Sequence, residues 1–328
     1  DVCSSDLSKH VVHTAPDTFG KLAKAWLESK RNLAAATKDQ YKNSVALWIS
    51  ILGDVPITSL SYQSLAHKIG SYPWASAKSA NNYLISLRGI MGFHFNGRKA
   101  AENPMIGIKN LQRVKKLPDP LTEDERDSIL DDMRSRYDER VVAYFQFAFY
   151  TGLRPEELIA LHWDDIDFKL KSCRVARVKT FRGLEREGSK THAERDVHLV
   201  KMAMNALSIM KAYTFMKSEY VFEHPQLEQP WHDERSQRDT FWKPTLKRLG
   251  IRARRAYATR HTYATAALMA GVNPAYVARQ LGHTNAKMLF ETYAKWIDGA
   301  DKHHERDRME AAFEAICPQN SPKKSSKA

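Results

Sequence analysis

Residues 140–152 read RVVAYFQFAFYTG. Apolar side chains fall on nearly every side of this segment, so a helix here has no face to offer water and must be buried. It cannot hide in a bilayer instead. A membrane span needs about 20 apolar residues, and the chain has no run of eighteen or more. A buried helix demands a core around it. With 328 residues, 43% of them apolar, the chain can build one, and its length suits about two domains. Gly152 fits the end of the buried helix. Ahead of it, Thr122 and Glu125 have the spacing of a capping box, which satisfies two backbone donors at a helix start.

Around this segment the chain divides. Apolar positions at helical spacing predict helices over 17–29, 37–51, 60–70 and 76–95, a small all-helical domain spanning 15–103. Residues 104–120 carry Pro104, Pro118 and Pro120 with few periodic apolar positions, which predicts a linker. Residues 121–316 form a mixed second domain. SCRVARVKT (172–180) and RDVHLV (195–200) read as strands flanking a long turn region, FRGLEREGSKTHAE. Helices are expected at 201–217, 238–249, 260–270, 274–281, 286–297 and 300–316. The fold class is therefore α+β and mainly helical, with a small antiparallel sheet. The polar, basic end at 317–328 is expected to be disordered, and residues 1–14, which begin without Met, are set aside as a disordered or spurious start.

Charge and cysteine usage narrow the partners. A net charge of +13 and a pI near 9.5 suggest a polyanion, nucleic acid before membrane. Arg113, Lys115 and Lys116 in the linker could strap a DNA backbone, or could simply be solvated. Cys3, Cys173 and Cys317 are too widely spaced for a disulfide framework or a zinc site, which fits a reducing cytoplasm. Asp164, Asp165 and Asp167 could suggest Mg²⁺, but alternate side chains of a strand face opposite ways, and no metal is expected.

Two helix starts share an electrostatic anomaly. In TGLRPEELIALHWDDIDF (151–168), Pro155 suits the first helical position and places Arg154 at the helix N-terminus. In YATRHTYATAAL (257–268), Arg260 stands at the start of its own helix. That end carries partial positive charge and disfavours cations. An oxyanion held between the two guanidiniums would resolve both cases. Alternatively, Arg154 simply pairs with Glu157. Lys190 sits in the turn before a strand, Gly282-His283 ends a helix, and Tyr293 lies in an amphipathic helix whose Leu289 and Phe290 are placed toward the core. Alone, each has an ordinary structural reading.

In order, the words TGLRPEEL, SKTHAERDV, TRHTYAT, LGH and ETY resemble the tyrosine recombinase (phage integrase) family over residues 15–316. The resemblance implies a SAM-like four-helix core-DNA-binding domain, then a catalytic domain, together clamping duplex DNA. It implies site-specific strand exchange for a prophage or integrative element, in the cytoplasm of a bacterial host at the nucleoid. Arg154 and Arg260 would hold the scissile phosphate, Tyr293 would attack it to leave a 3′-phosphotyrosyl link, and Lys190 would protonate the 5′ oxygen. His283 would hydrogen-bond the phosphate or the nucleophile, and Glu157 would support the site. No cofactor is implied, since positioned charge can drive phosphoryl transfer. Partners would be double-stranded DNA attachment sites, three further copies in a homo-tetramer, and DNA-bending accessory proteins. Two departures stand out: Tyr257 occupies a catalytic position where many members have His, and the gap from His283 to Tyr293 is ten residues where nine is common. A phenol, with a pKa of about 10, is a poorer base near neutrality. His283 is then the first candidate to accept the Tyr293 proton, with His261 read as packing. Rival readings are a type IB topoisomerase-like relaxing enzyme and a non-catalytic DNA-binding protein.

Overall fold

The computed structural model describes residues 18–114, 117–180, 183–187, 194–283, 286–297 and 302–316, and the chain divides into two compact units, Asp1–Lys115 and Lys116–Ala328.

The first unit is built on four helices, α1 (Phe19–Ser29), α2 (Ala35–Leu52), α3 (Tyr62–Ser71) and α4 (Ala77–His94). Thr18, Ser61 and Ser76 cap α1, α3 and α4 by accepting from backbone N–H groups of the first turn. The apolar faces converge on Phe19, Leu22, Trp48, Leu84 and Leu87, all but excluded from water. Trp48 is fully buried in this core and still satisfies its indole N–H, which donates to the Tyr83 carbonyl at 2.9 Å. Burying each such side chain contributes about 1.5–3 kcal/mol. The segment after residue 103, expected as linker, in part belongs to this unit. Met105 is buried, and Ile108 and Leu111 pack on the same core. The Asn81 side chain donates to the Leu111 carbonyl (2.9 Å) and accepts from its N–H (2.8 Å), as a neighbouring strand would. Arg113 is exposed beyond that clamp, while Lys115 and Lys116 lie outside the described residues.

The second unit starts with α5 (Glu123–Arg136), opened by the Thr122–Glu125 capping box, and α6 (Glu139–Thr151). Val141 to Phe149 of α6 are all buried. The helix is the centre of the core, as its all-round apolarity requires, and it packs against α5, α8 (Lys201–Lys211) and α11 (Ala258–Met269). Between α6 and α8 come the single turn α7 (Pro155–Leu158) and strands β1 (Ile166–Asp167), β2 (Ser172–Val175), β3 (Arg177–Lys179), β4 (Glu185–Glu187) and β5 (Arg195–His198). An antiparallel sheet of order β1-β2-β5 places Cys173 opposite Val197, both fully buried. β3, the second part of the predicted strand 172–180, pairs with β4, which lies inside the predicted turn region. A second short hairpin, β6 (Glu223–His224) and β7 (Gln229–Pro230), precedes α9 (Glu234–Gln237).

The expected helix at 238–249 runs on from α9 through a π-helical segment, Arg238–Trp242, into α10 (Lys243–Arg248). Pro244 has no N–H to donate to the preceding turn, and the wider π turn fits that missing bond. Helix α8 is shorter than predicted, because residues 212–217 continue as turns with Met216 in the left-handed region. After α11 follow α12 (Pro274–Leu281), α13 (Ala286–Ile297) and α14 (Lys302–Ile316). Phe290 of α13, expected to face the core, is exposed, because the buried face of this helix follows Leu289 and Tyr293.

Replacing Asn81 by Ala removes both bonds to Leu111 and exposes two backbone groups, a loss of about 1–3 kcal/mol. Hydrogen exchange should then accelerate at residues 105–111 while the amides of α6 keep their protection. Unchanged exchange at 105–111 would show that this segment is held by apolar packing alone.

Candidate active site

Arg260 is the third residue of α11 and is 1% exposed. Water does not solvate its charge. One Nη1–H donates to the Gly152 carbonyl at 2.8 Å, and an Nη2–H donates to the Leu281 carbonyl. Gly152 is the left-handed C-cap of α6 and Leu281 is the last residue of α12. Helix C-termini carry partial negative charge. The cation at the positive end of one helix is therefore held by the negative ends of two others. The oxyanion invoked from sequence is not needed to explain its position. Burial still lowers the guanidinium pKa, with Arg154 and Arg195 adding to the push, so the site resists further positive charge.

Gly152 is required by geometry. Its φ is +64°, and a Cβ there would come within 2.6 Å of the Tyr263 ring. Two residues later, Arg154 caps α7, with Pro155 at the first helical position. Its Nη1–H donates to Glu157 Oε1 at 2.6 Å and its backbone N–H to Glu157 Oε2 at 2.9 Å.

Glu157 has no exposed side-chain surface. Besides Arg154 it takes a bidentate pair from Arg195, Nη1 to Oε1 at 3.0 Å and Nη2 to Oε2 at 2.7 Å. Burial alone would raise this carboxyl. The hydrogen bonds from Arg195 and the charges of Arg195, Arg154 and Arg260 outweigh it and hold the pKa at about 2. Arg195, the first residue of β5, also donates from Nε to the Gln280 carbonyl at 2.9 Å. Gln280 is buried and accepts the His198 N–H at 2.8 Å, so β5 and the end of α12 are tied twice.

His283 follows Gly282, the left-handed C-cap of α12, and its N–H donates to the Ala278 carbonyl at 3.0 Å. Burial, with the charges of Arg260, Arg154 and Arg195, pushes its pKa down to about 4. The ring is thus neutral at pH 7. Its buried Nδ1 has no hydrogen-bond partner among the described residues.

Tyr293 lies on α13, 2% exposed, with Trp296 edge-on to its ring at 6.1 Å. Burial pushes the phenol pKa well up, against the opposing charge of Arg260. Its hydroxyl shares a hydrogen bond of 2.7 Å with His261 Nδ1. The contact assigned from sequence to His283 is thus made by His261, which is more than packing. Tyr257, ahead of α11, packs its ring edge against His261 at 5.2 Å and sits 5.9 Å from the Arg260 guanidinium.

The structure thus draws Arg154, Glu157, Tyr257, Arg260, His283 and Tyr293 into one electrostatically linked group. Lys190 lies outside the described residues, between the end of β4 and the start of β5. Among the described residues no set of three acidic, His or Cys side chains is arranged to hold a metal. Asp165 instead accepts from Arg177 at 2.8 Å, and Asp167 accepts the N–H groups of Lys169 and Leu170 in a turn. Sequence reasoning missed Arg195, His261 and Gln280. Arg195 carried a signal: strand alternation puts it on the same side of β5 as the buried Val197.

Residues 120–298 match the sequence profile of the phage integrase family. The prophage integrase IntR of Escherichia coli strain K12 is 30% identical, the match covering 90% of this chain and 80% of that protein. The chain belongs to the phage integrase family. This integrase also shares its fold with the Tn1549 transposon integrase solved with a circular intermediate DNA (TM-score 0.73, 19% identity, 90% of this chain and 100% of that one). A second fold match is the lambda integrase tetramer solved on a Holliday junction (TM-score 0.66, 16% identity, 84% and 77%).

Glu157→Gln leaves two guanidiniums without their counter-charge and should destabilise this integrase by about 3–5 kcal/mol at pH 7. The folded carboxyl pKa lies below its ordinary value of 4.5, so the stabilisation is complete above that pH and fades as pH falls toward 2. Urea unfolding at pH 7 and pH 3 should show the gap between wild type and variant shrinking at the lower pH. A gap that grows would contradict the charge role.

Proposed function

We propose that this site-specific tyrosine recombinase integrates and excises a mobile element by cutting and rejoining DNA through Tyr293. Arg154 and Arg260 hold the non-bridging oxygens of the scissile phosphate. Tyr293 Oη bonds to phosphorus, the 5′ oxygen leaves with a proton supplied by Lys190, and the strand end is stored as a 3′-phosphotyrosyl link. His283, neutral near pH 7, hydrogen-bonds the phosphate, and Tyr257 stands beside the nucleophile's partner. Glu157 holds Arg154 in position.

The observation that carries this reading is the group of fixed cations gathered at Arg260, whose charge reaches Tyr293. Arg154 and Arg195 pair with the buried carboxylate of Glu157, while Arg260 is held by the Gly152 and Leu281 carbonyls and keeps its full charge. Their positions are set by helix ends and hydrogen bonds before any substrate arrives, so little reorganisation is needed as charge develops on the phosphoryl group. The net charge of +13 supports duplex DNA as the partner. Arg113, Lys115 and Lys116 are proposed as backbone contacts. The lambda integrase tetramer on a Holliday junction supports a homo-tetramer on paired attachment sites, and DNA-bending accessory proteins would help to pair them. In this reading the enzyme acts where its DNA substrate lies, at the nucleoid of a bacterial host.

A nicked suicide substrate, which traps the covalent adduct, tests the assignment. Tyr293→Phe should bind the attachment-site DNA and form no adduct. Arg154→Ala should lower the adduct rate by about 10²-fold or more. Adduct formed by Tyr293→Phe would move the nucleophile to another residue.

A further inference from the structure

We propose that His261 is the group that takes the proton from Tyr293 when the phenol attacks DNA. The proposal rests on Tyr293 being the nucleophile.

The contact itself is the first ground. His261 Nδ1 and Tyr293 Oη are 2.7 Å apart, within the range required of a general base and the proton it removes. Because the phenol is almost wholly buried, no water layer competes for that proton. Both rings are held. Tyr257, the N-cap residue just ahead of α11, packs edge-on to the imidazole, and Trp296 packs edge-on to the phenol. The helix beneath His261 is pinned as well. The Thr265 hydroxyl donates to the His261 carbonyl at 3.0 Å, and the Thr262 hydroxyl accepts the Leu121 N–H at 2.9 Å across the unit.

Protonation state is the second ground. Burial and the adjacent Arg260 charge hold the His261 pKa below its ordinary value. The imidazole is therefore neutral near pH 7, with a lone pair to offer. With Nδ1 accepting, the ring proton resides on Nε2. An imidazolium beside the Arg260 charge alone is costly. A scissile phosphate on that same arginine supplies the opposing charge, so the base gains strength when DNA is bound. Tyr257 then has a positioning part: its ring fixes the orientation of His261.

The step balances. The Oη–H proton passes to His261 Nδ1 as the Oη–P bond forms. The P–O5′ bond breaks, its electron pair stays on the 5′ oxygen, and that oxygen takes a proton from Lys190. Rejoining reverses each transfer: the 5′ hydroxyl attacks phosphorus and His261 returns its proton to Tyr293.

Single-turnover adduct formation on the suicide substrate tests the proposal in the full chain, with DNA affinity and thermal melting measured alongside. His261→Ala and His261→Asn should each lower the adduct rate by about 10²-fold or more, with affinity within about twofold of wild type. Asparagine keeps a hydrogen-bonding group near Nδ1 but cannot serve as a base, so it separates proton transfer from positioning. A substrate with sulfur at the scissile 5′ bridging position, whose leaving group needs no proton, should not rescue either variant. Wild-type rates in His261→Ala, near-wild-type rates in His261→Asn, or rescue by the sulfur substrate would each overturn the proposal. Adduct formed by Tyr293→Phe would instead overturn the nucleophile assignment on which it rests.

Discussion

One buried guanidinium sets the register of the second unit. Arg260 reaches from α11 to the last carbonyls of α6 and α12, so three helix ends meet at one side chain. Arg154 stands two residues after Gly152, and His283 stands two residues after Leu281. Each carbonyl that holds Arg260 is thus two residues from another member of the site. His261 follows Arg260 directly on α11. Burying a charge this deeply costs several kcal/mol unless it is paired. The carbonyl ligands offset that cost and leave the local excess of positive charge intact, since they bring only partial charges.

A second layer holds the first. Glu157 binds Arg154 on one side and Arg195 on the other, and Arg195 continues to the Gln280 carbonyl, next to the Leu281 carbonyl that holds Arg260. A closed path therefore runs from α7 through β5 to α12 and back to α6. It places β5, the strand that follows the Lys190 segment, in the same frame as the two proposed phosphate-binding arginines.

Much of this was legible in the sequence where the signal is local. The all-round apolarity of residues 140–152 located the core helix, the Thr122–Glu125 pair located the start of α5, and Pro155 with Glu157 located Arg154 at a helix start. What sequence could not supply was long-range. The carbonyl partners of Arg260 lie 108 and 21 residues away, so the anomaly of a cation at a helix N-terminus was legible while its solution was not. Nor does spacing say which histidine meets Tyr293, because that depends on how α13 is rotated against α11. Strand β4 reads Glu-Arg-Glu and carries no apolar alternation, so its pairing with β3 left no mark in the pattern. Phe290 misled for the opposite reason: its apolarity suggested burial, but the helix turns it outward.

The glycines carry a consequence for how kinship within such elements is judged. Gly282 has a φ of +65°, and a Cβ on it would lie 2.8 Å from the Arg195 guanidinium; Gly152 is as constrained against Tyr263. Each occupies the hinge between a helix end and a side chain proposed to act on DNA. A degenerate copy of the gene could therefore retain every arginine, histidine and tyrosine of the site and still be inert, its lesion a single methyl group at residue 152 or 282. Vitality in such a lineage is written in its smallest residues as much as in its reactive ones.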